Sequence, residues 1–477
     1  MIMSETQTTA NPLGTDRIGK LLRGFAVPGI ISMVINSLYN MVDQIFIGQG
    51  VGMLGNGATN IIAPISTFAI AVAALFGDGL ATYFSLQLGK GEPEKASQAV
   101  GNSIISGVVV SALLTVLVLV FLNPLCRIFG ATDNIMPYAL EYGRIIACGF
   151  PFVIVAVIIN GVVRADGSPK YSMVSMMMGS VLNVFLDPLF IFVFKMGISG
   201  AALATVLSQF INMALNIAYL FRFKNIKLDK ASFRFRISFA GMLASLGIAS
   251  GLNTTTSTVI AIVSNNMLTR YGALSVYGED IPITVFGLCM KVSMLFFSVA
   301  MGISSASRPI LGFNYGAEKF DRVKKTFRLT FVSATMVMVV AWIVYMAFPL
   351  QLIRIFGTES ALYEEFAVKC FRIYLLTNFL GGMQLCAGTL FQAIGHPAKA
   401  TVVSLAKQVI FYIPAMLILA KAFGLVGILW AGPIAEVLAF FLAAVLTRKE
   451  WATPDWMRTH EKRVNTISCQ FGSGGTA

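Results

Sequence analysis

Apolar stretches of twenty or more residues alternate with short polar segments along almost the whole chain. A helix needs about 20 apolar residues to cross the hydrocarbon core of a bilayer. The pattern therefore predicts twelve transmembrane helices, six on each side of a basic connector from Arg222 to Arg236. The predicted spans are 24–48, 57–86, 98–122, 138–162, 170–194, 199–221, 239–268, 282–307, 327–349, 365–392, 400–420 and 424–446.

Lysine and arginine are unevenly divided between alternate connecting segments. If both termini face the cytoplasm, 25 of these residues fall in inside segments and five in outside loops. Cytoplasmic loops are enriched in basic residues, so we predict a multi-pass protein of the cytoplasmic membrane with both termini inside. The predicted parts are an N-terminal tail (1–23), a first lobe (24–221), the connector (222–238), a second lobe (239–447) and a C-terminal tail (448–477).

Composition supports an all-α membrane fold. Only 12% of the 477 residues are charged and 56% are hydrophobic, whereas soluble domains carry about 25% charged residues. The apolar runs are longer than the alternating strands of a membrane barrel. The net charge of +13 lies in short loops, so we expect the bilayer, and no nucleic acid, as its partner.

The chain repeats itself at a nearly constant offset. Arg127-Ile128-Phe129-Gly130 recurs 227 positions later as Arg354-Ile355-Phe356-Gly357, and Gly167-Ser168-Pro169 matches Gly395-His396-Pro397 at 228. Such periodicity indicates duplication. Six spans per half is an even number, so the repeats are parallel, and transporters with repeats bind substrate between them.

The first and fifth predicted spans each carry a carboxylate at membrane depth, where an ionisable residue is a functional candidate. In the fifth span, Asp187 lies one turn from Asn183 and precedes Pro188, which bends a helix. Tyr142, Asn160 and Thr205 can face the same space. In the first span, four polar residues share one helical face. They are Asn36, Tyr39, Asn40 and Asp43.

Two ions suit these oxygen atoms. One is a proton, because burial disfavours the charged form of a carboxyl group. The other is Na⁺, which would be held by Asp43, Asn183, Asp187 and Thr205. The equivalents of Asp187 and Asn183 in the second half are Ile413 and Val409, so we place ion coupling in the first half.

Lys291 and Glu436 are further deep charges in the second half. Each either contacts substrate, together with Asn36 and Asn40, or serves as a positional ion pair or a side chain that reaches the interface. The chain has no P-loop and no HExxH or GxSxG motif, so we expect neither an enzyme nor an ATP-driven pump. No cofactor is expected apart from the coupling ion.

Several of these residues resemble the multidrug and toxic compound extrusion (MATE) family, in its DinF- and MepA-like branch. The resemblance covers about residues 17–448. It rests on Pro28, Tyr39-Asn40-Met41-Val42-Asp43, Gly167-Ser168-Pro169-Lys170, Asn183 through Asp187-Pro188, and Pro309-Ile310-Leu311-Gly312-Phe313-Asn314-Tyr315-Gly316-Ala317.

The resemblance implies a V-shaped pair of six-helix bundles and export of drugs or organic cations in exchange for H⁺ or Na⁺. It implies a cation site in the first lobe, formed by Asp43, Asn183, Asp187 and Thr205 with Tyr39, Tyr142 and Asn160 nearby. We expect a monomer that works by alternating access. A flippase for a lipid-linked sugar is an alternative, as is a passive channel or a receptor that does not transport.

Overall fold

The computed structural model describes residues 11–278, 280–355 and 360–452, and the regular elements within these ranges are all helices. Two short helices, Pro12–Thr15 and Pro349–Ile355, and a single turn, Lys230–Phe233, accompany the long ones. The long helices are α1 (Ile18–Gly50), α2 (Met53–Lys90), α3 (Pro93–Ile128), α4 (Met136–Cys148 and Phe150–Ala165), α5 (Pro169–Pro188 and Leu189–Val193), α6 (Gly197–Leu220), α7 (Ile237–Gly272), α8 (Asp280–Gly316), α9 (Phe320–Ala347), α10 (Ala361–Tyr374, Asn378–Leu380 and Gly381–Ala393), α11 (Pro397–Leu405, Ala406–Tyr412 and on to Gly424) and α12 (from Gly424 to Ala452).

The number of membrane-spanning helices follows from length and from two breaks. Ten helical stretches are long and apolar enough to cross a membrane, and the two parts of α4, bent by 45° next to Gly149, form an eleventh. One of the ten, Pro397–Ala452, has 56 residues, which is about 84 Å of helix and too long for one span. It breaks at Gly424, where φ is 61°. The predicted twelve-helix, all-α architecture is confirmed.

The duplication is visible in local geometry. Gly167 and Gly395 both have positive φ, 83° and 77°, and each stands two residues before a proline that begins a helix. Proline is favoured in the first turn of a helix because its missing N–H would have no partner there. Both α5 and α11 also contain a widened π turn near a proline, at Leu189–Val193 directly after Pro188 and at Ala406–Tyr412 two residues before Pro414.

Each half has its own hydrophobic core. The core of the first half includes Phe84, Ile154 and Ile159, and that of the second includes Tyr345 and Phe366. The halves meet chiefly through α1 and α2 on one side and α7 and α8 on the other, which are equivalent helices of the repeat.

These contacts concentrate at one end of the molecule. We call it the basic end, because it carries the first residues of α1 and the connector with its lysines and arginines. There α2 and α7 cross with their backbones in contact. A Cβ atom added at Gly247 would lie 1.7 Å from the carbonyl oxygen of Leu75, and one at Gly79 would lie 2.0 Å from that of Leu243. The halves are therefore closed against each other at this end.

The halves separate toward the opposite end. Ser37 of α1 meets Ser298 of α8 at 3.4 Å. Beyond this contact, Asn40 and Ile45 of α1 and Lys291 of α8 are exposed. We infer from these exposed positions that a cleft between the halves opens away from the basic end.

The connector is packed on the first half. Ser232 Oγ lies 2.5 Å from Ser97 Oγ of α3, and the backbone N–H of Arg236 donates to Asn102 Oδ1 at 2.8 Å. The predicted division of the chain at 222–238 stays a prediction. Residues 1–10 of the predicted N-terminal tail, Phe356 and Gly357 of the second repeat motif, and residues 453–477 of the C-terminal tail lie outside the described residues.

Candidate cation site and cleft

Three helices of the first half bring polar side chains to one place. Asp43 lies one turn beyond Tyr39 on α1, and Asp187 lies one turn beyond Asn183 on α5. Asp187 is followed by Pro188 and by the π turn, so α5 departs from regular geometry next to the carboxyl group. Thr205 comes from the middle of α6.

The contacts within this group are direct. Asn183 Nδ2 donates to Asp187 Oδ1 at 3.3 Å and to Thr205 Oγ1 at 3.4 Å. The carboxyl groups of Asp43 and Asp187 lie within hydrogen-bonding reach of each other. The side chains of α5 and α6 are buried, since Asp187 is 0%, Asn183 1% and Thr205 9% exposed.

Several oxygens in this group receive no hydrogen bond from the part of the chain that the structure describes. They are Asp43 Oδ1, Asn183 Oδ1 and Asp187 Oδ2. Buried polar atoms are normally satisfied, and a carboxylate offers only acceptors. A proton shared between the carboxyl groups would supply a donor, and a bound Na⁺ would satisfy all three oxygens. The donor set therefore fits either coupling ion.

Two tyrosines surround the carboxyl pair. Tyr39 of α1 and Tyr142 of α4 both lie within electrostatic range of Asp43 and Asp187. Tyr142 is 8% exposed and belongs to the core of the first half. The structure thus brings six of the seven predicted cation-site residues together, and their role stays a prediction.

Asn160 is the exception, and the expectation that it faces the same space is wrong. Its amide donates to Ser175 Oγ at 3.3 Å and to Asn216 Oδ1 at 3.4 Å, and its oxygen accepts from Arg164 at 2.7 Å. Asn160 lies 18 residues beyond Tyr142, on the other side of the 45° bend in α4. Its contacts place it in a separate polar cluster, one turn from Arg164.

Of the four residues predicted to contact substrate, Asn36, Asn40 and Lys291 are exposed and Glu436 is buried. Asn36 and Asn40 are exposed on α1, where Asn40 Nδ2 donates to the backbone oxygen of Asn36 at 2.6 Å. Lys291 is exposed on α8, two turns from Ser298 on the same helix face, and Ser298 contacts α1. Asn40 and Lys291 are therefore placed along the cleft between the halves.

Glu436 is not part of this cleft. Its Oε2 lies 2.5 Å from Nζ of Lys407, a residue of α11, and the two side chains are 7% and 31% exposed. The positional ion pair, one of the alternatives open from sequence, is the one found. Lys407 was not identified from the sequence, although it lies within the predicted span 400–420.

Asp78 was also missed. It lies inside the predicted span 57–86 and forms an ion pair with Arg308 of α8 across the two halves. The same search for charges at membrane depth that selected Asp43 would have found it. Its contacts belong to the basic end and lie apart from the cation site.

These features define a class: a polytopic membrane protein of two repeated six-helix halves, with a carboxyl pair inside the first half and a cleft between the halves. The sequence profile of the MatE family matches residues 28–189 and again residues 258–418, so each half carries one copy of the family domain. The chain therefore belongs to the MATE family. The predicted duplication and family are both confirmed.

Similar proteins cover nearly the whole chain. It is 26% identical to the "Multidrug export protein MepA" of Staphylococcus haemolyticus, over 89% of this chain and 92% of that one. The MepA of Staphylococcus aureus (strain MRSA252) is also 26% identical, over 90% and 92%. The family and these relatives are transporters, which confirms that the chain is not an enzyme.

Solved structures give the same picture. The MATE multidrug transporter DinF-BH, determined in complex with a ligand, is 35% identical, with a TM-score of 0.84 over 92% of this chain and 97% of that one. An outward-facing multidrug resistance MATE transporter shares the fold with a TM-score of 0.86 at 23% identity, over 94% of this chain and 98% of that one.

Proposed function

We propose that this chain is a secondary active multidrug exporter that exchanges amphipathic, often cationic, small molecules for H⁺ or Na⁺. The carboxyl pair of Asp43 and Asp187 carries this proposal. Asp187 is fully buried and Asp43 is half-buried, the two come from α1 and α5, and acceptor oxygens of both lack donors among the described residues. Membership of the MATE family and the names of the similar proteins support the substrate class.

The charge distribution supports an orientation. Basic residues mark the cytoplasmic side of membrane proteins, so the basic end would face the cytoplasm and the cleft would open outward. Both termini would then be cytoplasmic in a multi-pass protein of the plasma membrane, and the protein would work as a monomer.

The geometry supports a coupling step. Two carboxylates within hydrogen-bonding reach repel each other strongly away from bulk water. A proton or Na⁺ arriving through the outward cleft would remove that repulsion and draw α1 toward α5. Since α1 also lines the cleft through Asn40, its movement would change the substrate surface and release the drug.

For a neutral drug, the energy that the membrane potential gives to one coupling ion is sufficient. One charge moving down 100 mV supplies about 2.3 kcal/mol, which sustains roughly a 50-fold gradient of a neutral drug. No covalent chemistry by the protein is needed. The residues bind the ion, hold it between two helices and exclude water from it.

A flippase for a lipid-linked sugar is less well supported. Such a substrate carries phosphate and calls for basic residues along the cleft. Among the residues placed along the cleft, Lys291 is the one basic side chain.

The test is ethidium efflux from proteoliposomes of purified protein. A pH gradient without sodium is applied first, and a sodium gradient at equal pH second. Uphill ethidium movement in one arm identifies the coupling ion, and a requirement for Asp43 and Asp187 in that arm places coupling at the pair. Ethidium that only equilibrates in both arms would indicate a channel and contradict the proposal.

A further inference from the structure

An ion pair joins the two halves near the basic end. The guanidinium of Arg308 on α8 donates to a carboxyl oxygen of Asp78 on α2. The side chains are only 14% and 20% exposed. Removing charged groups from water is costly, and separating one from its partner in a buried site is costlier still. While the halves are in contact, each of these charges therefore depends on its partner across the interface.

The contact extends through two more helices of the second half. Ser250 of α7 donates its hydroxyl to the other carboxyl oxygen of Asp78. Gln392 of α10 donates to Ser250 Oγ at 2.8 Å and is 4% exposed. One carboxylate of the first half is thus linked to α7, α8 and α10 of the second.

A second arginine faces the pair from the first half. Arg164 of α4 lies within electrostatic range of both Asp78 and Arg308. Asp78 therefore lies near two guanidinium groups, one from each half. Neutralising Asp78 would leave two cations facing each other across the interface. Neutralising Arg308 would leave Asp78 near Arg164, a cation of the same half.

The ion pair lies next to the point where the backbones of the two halves touch. Asp78 is the neighbour of Gly79, where the backbones of α2 and α7 touch. Between α1 and α8, a cavity of about 20 Å³ beside Arg164 has room for about one water. The basic end cannot open without pulling Asp78 away from Arg308 and Ser250.

We propose that Asp78, Arg308 and Ser250 form a latch that holds the basic end closed while the cleft is open at the other end, and that the latch breaks and re-forms in each transport cycle. The inference rests on the proposed alternating-access exporter. The separated charges would be hydrated when the end opens, which makes the latch reversible.

The test measures the distance across the basic end by double electron–electron resonance. Spin labels are placed at Lys95→Cys in α3 and Lys325→Cys in α9, two exposed positions in opposite halves, after the native cysteines are replaced by serine. The full-length protein is measured in nanodiscs without drug or gradient, alone and with Asp78→Asn or Arg308→Gln.

Arg308→Gln should raise the ratio of open to closed basic ends about tenfold, equal to about 1.4 kcal/mol. Asp78→Asn should raise it further, because of the repulsion between Arg164 and Arg308. Ser250→Ala keeps all charges and should give about a two- to threefold change in the same direction. It therefore tests the latch even if the charge variants fail to fold.

Glu450→Gln is the matched control. Glu450 is 3% exposed and pairs with Lys399 at the same end, but both partners belong to the second half, so its distance distribution should match wild type. Unchanged distributions in Asp78→Asn, Arg308→Gln and Ser250→Ala, or an equal shift in Glu450→Gln, would overturn the latch. These distances need no transport, so a wild-type protein that fails to export ethidium would contradict the proposed function alone.

Discussion

Asp43 on α1 and Asp187 on α5 stand 144 residues apart in the chain, yet their carboxyl groups lie within hydrogen-bonding reach of each other. The side-chain amide of Asn183 donates hydrogen bonds to Asp187 on the same helix and to Thr205 on the next helix. The site therefore depends on the packing of α1 against α5, and any ion bound there senses the distance between the two helices.

Neutralising either member of the pair should uncouple transport. Asp43→Asn and Asp187→Asn should each reduce gradient-driven ethidium efflux at least about tenfold, since a charge that the ion must compensate is removed. Ethidium binding, measured by fluorescence anisotropy, should persist because the cleft is unchanged.

The matched control for this pair is Asp133→Asn. Asp133 is 86% exposed and pairs with Arg127 away from the site, so its loss should leave efflux unchanged. Efflux that survives Asp43→Asn together with Asp187→Asn would rule out coupling at the pair.

The membership of this site could largely be predicted from sequence, because membrane burial makes each polar residue conspicuous. Helix periodicity placed Tyr39 with Asp43 and Asn183 with Asp187. Periodicity gives a face but no depth, which is why Asn160 was assigned to the wrong end of α4. The same search for charged residues at membrane depth, applied to the second predicted span, would have identified Asp78.

Breaking the buried pair in the second half should destabilise the protein. Glu436→Gln leaves the charge of Lys407 without its partner and should cost about 3–5 kcal/mol of unfolding free energy, seen as a lower Tm. The double replacement Lys407→Met with Glu436→Leu should recover most of that loss. A Tm for Glu436→Gln equal to wild type would show that the pair is not structural.

The docking of the connector should withstand mild acid. Asp229 accepts from the backbone N–H of Ser232 at 2.8 Å and from its hydroxyl at 2.6 Å. These bonds hold the pKa of Asp229 below its ordinary value. Because the pKa is lowered, this stabilisation is present above the ordinary pKa, about 3.9, and is lost as pH falls through the lower folded value.

Hydrogen exchange at the Ser232 amide measures this docking. The exchange is measured over an assay range of about pH 5 to 8. After correction for intrinsic rates, the protection of this amide should be constant over that range. Asp229→Ala should speed exchange several-fold there, whereas Asp229→Asn, which keeps an acceptor oxygen, should change it less. Protection that declines on acidification within this range would assign the docking to another group.

The number of helices and the repeat were predictable because both follow from hydropathy and from spaced motifs. The breaks were harder to predict. The bend beside Gly149 and the π turn at Ala406–Tyr412 depend on packing between helices, and a continuous apolar run gives no sign of them. The close approach of the halves at Gly247 also requires the tertiary structure.

Two glycines of α7 should respond oppositely to alanine. At Gly247 a new Cβ would meet the carbonyl oxygen of Leu75, whereas at Gly241 it would find no atom within 4 Å. Gly247→Ala must push α2 and α7 apart and should cost about 1–3 kcal/mol in thermal unfolding. Gly241→Ala should be neutral or stabilising by up to about 1 kcal/mol, because alanine favours helix. Equal Tm values for the two variants would mean that the helices do not cross at Gly247, and the closed basic end would then lack its backbone contact.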